Sequence, residues 1–177
     1  LVESSSAVLR ESSRAELWGS SSAELGKYCT AHVRGRTANV EGGTIIRIPK
    51  MKTAGAWLDY YGVRTSRGVA FLFKGVDEEY RSGRGFAYLP GTTPEAMDWD
   101  RGKAECGGGL HFACAVSSAR NFFPEATRFV CCPIKISDIV VHHPAQYPTK
   151  IKARRVYRPI FEVDADGNKL PLRKPKS

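Results

Sequence analysis

The 177-residue chain has room for one ordinary domain and a smaller appended one, and at 42% hydrophobic residues it can bury a true core, which excludes a disordered chain. Its formal net charge of +9 favours polyanions and anionic small molecules as partners. Five cysteines at irregular spacings (Cys29, Cys106, Cys114, Cys131, Cys132), without a CxxC pair or a zinc-type Cys/His spacing, argue against both a disulfide framework and a structural metal.

A reducing, cytoplasmic compartment is therefore expected. There is no signal peptide and no run of about 18 apolar residues, so a soluble protein without membrane contact is expected. The chain opens without Met and inside a repeating pattern, which predicts further repeats before Leu1.

Residues 1–42 form that pattern. Blocks of eight begin at Leu1, Leu9, Leu17, Leu25 and Val33, with a small residue at each fifth position. Ala occupies the seventh position at Ala7, Ala15, Ala23 and Ala31, and Ala38 comes one place early. The period is too short for helical repeats and lacks heptad spacing. It predicts short strands joined by tight corners in a β-solenoid-like segment, with small residues inside and aliphatic residues stacked in ladders. A Ser-rich linker is the competing reading. The expected role is a scaffold, spacer or self-assembly surface.

Residues 43–168 read as a compact, mixed α+β head with a mostly antiparallel sheet, which makes the whole chain β-rich α+β. Val40 to Thr44 is expected to turn and close the repeat, and residues 44–48 form a strand stopped by Pro49. Residues 54–61 have helical spacing, with Trp57 and Tyr61 either in the core or forming an aromatic clamp, and Gly62 as the stop. Residues 69–76 are almost continuously apolar, as in a central strand buried on both faces, with Lys74 near its end. The loop that follows carries Arg81 and Ser82, residues suited to holding a phosphate or carboxylate and equally common on ordinary surfaces.

Gly107, Gly108 and Gly109 allow a sharp bend before the strand of Leu110, His111 and Phe112. Ser117 is expected to cap a short helix that Pro124 ends. Further strands are expected at 129–136, 138–141, 151–158 and 160–163. Adjacent Cys131 and Cys132 point to opposite faces of theirs. His142 and His143 suit either a metal or an exposed turn before Pro144. Glu162 alternates with Phe161 and Val163, so exposure is expected, and residues 164–168 make a hairpin-type turn. Lys150, Lys152, Arg154 and Arg155 form a basic strip for nucleic acid or other polyanions, or a solvated edge. Residues 169–177 are a basic tail.

Two resemblances follow from these residues. Phe71 to Asp77, Arg81-Ser82, Cys106 to Phe112 and Lys150 to Arg154, preceded by Ser-rich octads, resemble a family of actinobacterial and phage proteins. That likeness implies the same organisation, and a virion-associated location for a phage-derived chain. Gly107, Gly109, Leu110, His111, Phe112 and Ala113, followed by Ser118, Ala119 and Phe122, are similar to a segment of the ADP-ribosyltransferase superfamily. This second resemblance implies NAD as the bound cofactor and Lys74, Arg81, Ser82, Gly107, Gly109 and Phe112 as its binding residues. It also implies catalytic roles for His111, standing where that family usually has Tyr, and for Glu162, as the acid that stabilises the oxocarbenium ion. A non-enzymatic structural or assembly module with a basic, partner-binding head is the alternative.

Overall fold

A computed structural model of the chain describes residues 5–34, 38–49, 51–104, 107–142 and 147–171. The chain divides into two compact units, Leu1–Lys50 and Met51–Ser177. Cys106, His143 and the tail beyond Pro171 lie outside the described residues.

In the first unit, strands β1 (Ser6–Leu9), β2 (Arg14–Leu17), β3 (Ser22–Val33) and β4 (Asn39–Arg47) make one parallel sheet. Ser6 pairs with Ser22 and Leu9 with Leu25, while Arg14 pairs with Thr30 and Leu17 with Val33, an offset of two octads throughout. Alternation along a strand puts the seventh position of one octad and the first of the next on the same face. Ala23, Leu25, Ala31 and Val33 accordingly share one buried cluster with Leu17 and Cys29.

The corners follow from the intervening residues. Ser13 Oγ donates to Arg10 O (2.7 Å) and Ser21 Oγ to Trp18 O (2.6 Å), while Glu11 (φ 59°) and Gly19 (φ 61°) take the left-handed conformation between strands. At the next octad the corner is absent, because β3 runs through it. The turn expected at Val40 to Thr44 is also absent. Gly42 and Gly43 lie inside β4 with positive φ, and the β3–β4 register shifts there, so the strand expected at 44–48 continues the repeat sheet to Arg47.

In the second unit, Thr53 Oγ1 accepts from Ala56 N and starts α1 (Ala54–Tyr60), which buries Trp57 and Leu58. The sheet contains β5 (Thr65–Ser66), β6 (Val69–Val76), β7 (Leu110–Ala113), β8 (Arg128–Lys135), β9 (Ile139–Val141), β10 (Lys150–Ala153) and β11 (Phe161–Val163). Its order is β11-β8-β6-β7-β10-β9, with β5 beside β6 and every pairing antiparallel. Both faces are covered, as the apolar run of β6 requires. Ala70, Leu72, Val130, Cys132, Phe112 and Ile151 pack on one face with α1, and Phe71, Phe73, Phe129, Cys131 and Ala113 pack on the other. Cys131 and Cys132 thus face apart.

Four expectations need correction here. Helix α2 (Val116–Phe122) has Ala115 as its N-cap and no side-chain cap, so Ser117 lies inside the helix. His142 is 3% exposed and stacked on His111, so it does not sit on an open turn. The strand expected over 151–158 ends at Ala153. Glu162 is 8% exposed, because β11 pairs with β8 and sets its side chain beside Val130 on a covered face.

Candidate functional site

The site follows from a defect in the sheet. Between β6 and β7 the ladder consists of one pair, Phe73 with Ala113. Beyond it the strands part, and the Lys74 ammonium bridges the gap by donating to His111 O at 3.0 Å. Around this split lies a cavity of about 570 Å³, of the size that takes small molecules. Residues from both sheet faces line it, among them Phe73, Lys74, His111 and Phe112, together with Ser82 and Arg84 from the loop after β6.

The triple glycine closes one side. A Cβ on Gly108 would sit 1.6 Å from Asp98 O, and Gly109 N donates to Asp98 Oδ1 at 3.2 Å with φ 129°, so the bend fits against the Asp98-Trp99-Asp100 segment only without side chains. This brings Gly107 and Gly109 into the cavity wall.

The cavity collects three cations, Lys74, Arg84 and Lys150, against two carboxylates, Asp98 and Glu125. Burial pushes the Lys74 pKa down to about 8, and the nearby Lys150 and Arg84 charges add to the fall. Burial likewise pushes His111 down to about 4, assisted by Lys150 and Lys74, so its imidazole is neutral at physiological pH. Burial holds the Tyr88 phenol well above its ordinary range, and its ring lies 5.3 Å from Lys74 Nζ. Cys131 is pushed up to about 12 by burial and Cys132 is raised too, so neither is a reactive thiolate.

Of the residues expected to act together, Lys74, Ser82, Gly107, Gly109, His111 and Phe112 do share this cavity, and Lys150 joins them. Arg81 and Glu162 do not line it. Arg81 is exposed and pairs with Glu79 at 3.5 Å. Glu162 accepts from Tyr80 Oη at 2.9 Å and from Arg128 Nη1 at 3.1 Å, and Arg128 Nη2 also bonds Glu78. The carboxylate therefore fastens the base of the loop that carries Ser82 and Arg84. The basic strip is not one surface either: Lys152 is 0% exposed with Asp100 Oδ2 at 3.7 Å, whereas Arg154 is exposed and bonds Glu95 at 2.6 Å.

Sequence reasoning missed Arg84, Tyr88 and Arg128. Arg84 lies in the loop already marked for anions, but Tyr88 and Arg128 carry no sequence pattern, since pairing between distant strands and a distant loop gives them their roles.

Among the described residues, no group of three or more His, Cys, Asp or Glu side chains is gathered for a metal ion, and no helix is long and apolar enough to cross a membrane. No protein-family model, curated protein or solved structure matches the chain.

Proposed function

We propose that the head binds an anionic, ring-bearing nucleotide in the split between β6 and β7, and acts on NAD as an ADP-ribosyltransferase-like domain carried on a short β-solenoid. The observation that carries this reading is the cavity itself, in which Lys74, Arg84 and Lys150 stand beside the rings of Phe86, Tyr88 and Phe122. Cations of this kind suit a pyrophosphate, and aromatic faces and edges suit planar rings.

Transfer breaks the N-glycosidic bond of NAD. Nicotinamide leaves with the bonding pair, the positive charge left on the ribose needs a nearby carboxylate, and a nucleophile of the target, or water, then bonds to the same ribose carbon and releases its proton. Glu162 is committed to Tyr80 and Arg128, whereas Glu125 lines the cavity and has no ion pair among the described residues. The acid role falls to Glu125 in this reading, and Glu162 holds the loop.

Calorimetric titration with NAD and chromatographic assay of released nicotinamide test it. Saturable binding is expected, weakened at least about tenfold in Lys74→Ala. Glu125→Gln should abolish release, while Glu162→Gln should raise the NAD concentration required and spare turnover at saturation. Absence of NAD binding at millimolar concentration overturns the reading, and loss of release at saturation in Glu162→Gln returns the acid role to Glu162.

A second reading, assembly through the repeat, is favoured by the parallel two-octad offset of β1 and β2 on β3 and by β4, which among the described residues pairs with β3 alone and exposes Ile45 (37%) and Ile46 (41%). Concentration-dependent oligomers by light scattering, lost in Ile46→Lys, are the expected sign of it. A cytoplasmic or virion-associated location and contact of Arg154 and Arg155 with a polyanion remain part of this proposal.

A further inference from the structure

We propose that Lys74 is an imine-forming lysine, and that the cavity accepts an aldehyde bearing a phosphate group. The inference rests on the cavity and not on NAD as its occupant. Lys74 is near the end of β6, where its pairing with Val130 of β8 holds the backbone, and it lines a hollow large enough for a small molecule. Its ammonium donates to a carbonyl, His111 O at 3.0 Å, and among the described residues it forms no salt bridge. The fully buried strand lysine behaves differently: Lys152 lies beside Asp100 and outside the cavity.

A lysine without a carboxylate, packed against a ring and facing two like charges, is the arrangement that raises the uncharged minority of an amine near neutrality. With its pKa pushed to about 8 by burial, the neutral fraction at pH 7.4 is on the order of a hundredfold above that of a solvated lysine. Arg84 and Lys150, which help to discharge Lys74, remain to hold the phosphate.

The chemistry balances without a redox partner. The Nζ lone pair forms a C–N bond to the carbonyl carbon, and the carbonyl oxygen takes up a proton while nitrogen loses one, giving a carbinolamine. The hydroxyl then takes up a second proton, the C–O bond breaks and water leaves, and nitrogen gives up its remaining proton as its lone pair forms the C=N bond. The step is reversible, and hydrolysis restores the amine and the aldehyde.

The test is labelling of the full chain with pyridoxal 5′-phosphate, reduction of the imine by borohydride, and peptide mass spectrometry. The expected result is one dominant adduct on Lys74, formed at least about tenfold faster than on any other lysine, with a rate that rises through a midpoint near pH 8. Phosphate-free pyridoxal should label Lys74 more slowly, and Lys74→Arg should abolish the dominant adduct while keeping a cation in place. Labelling spread evenly over surface lysines, or a Lys74 rate that climbs only above about pH 10, overturns the proposal. Equal labelling by pyridoxal and its phosphate overturns the phosphate requirement. Because wild-type protein gives the readout, a poorly folding variant leaves the test intact. Labelling without NAD binding would separate this inference from the transferase reading.

Discussion

Lys74 costs the fold stability, and the sign of the pH effect follows. The unfolded chain keeps its ordinary pKa of 10.5 and the folded one about 8, so between these values the unfolded state binds more protons, and stability rises with pH across that window. The penalty, about 3 kcal/mol, is fully present below pH 8. Lys74→Met should therefore raise stability at pH 7 by about 2 kcal/mol and flatten the rise between pH 8 and 10.5, as read by denaturant melts across pH. His111 acts in the acid range. Its pKa falls from 6.5 to about 4 on folding, so stability is lost as pH drops through that interval, and His111→Gln should remove part of that loss in the same melts. Both side chains were visible in the sequence as polar residues inside apolar strands. Glu162 was visible as well, but simple alternation places it in solvent. Its burial comes from pairing with Val130 and from Tyr80 and Arg128, which are remote in sequence.

Among the elements, β4 depends on Gly42. Its φ is 78°, and a Cβ there would sit 2.2 Å from Leu25 O on the neighbouring strand. Gly42→Ala should cost about 2 kcal/mol or more, measured as a lowered melting temperature of the first unit. An equally local signal explains why the octads were legible. Ala and Leu two places apart share a strand face, and equivalent residues stack because the chain returns to the same height after two octads. The corner that β3 runs through was not legible, since Gly26 and Lys27 look as turn-like as Gly19 does. Strand β10 was read too long for the opposite reason. Val156 and Tyr157 follow Ala153 as further strand-forming residues, but the sheet partners of the strand end at Ala153.

As a whole molecule, the chain has two units whose buried clusters share no residue. Residues 51–177 expressed alone should therefore melt cooperatively and retain the cavity's ligand binding; a non-cooperative melt by circular dichroism would show that the head needs the repeat. Hydrophobic pattern was enough to announce a β-rich α+β chain with an antiparallel sheet, because that property belongs to neighbouring residues and needs no knowledge of the rest of the chain. Tertiary structure alone decided that β6 and β7 join at one pair and then part, that Lys74, His111 and Lys150 meet in the gap, and that Glu162 serves a loop. Those facts depend on which distant strands pair and where the pairing stops, and no local spacing encodes that choice.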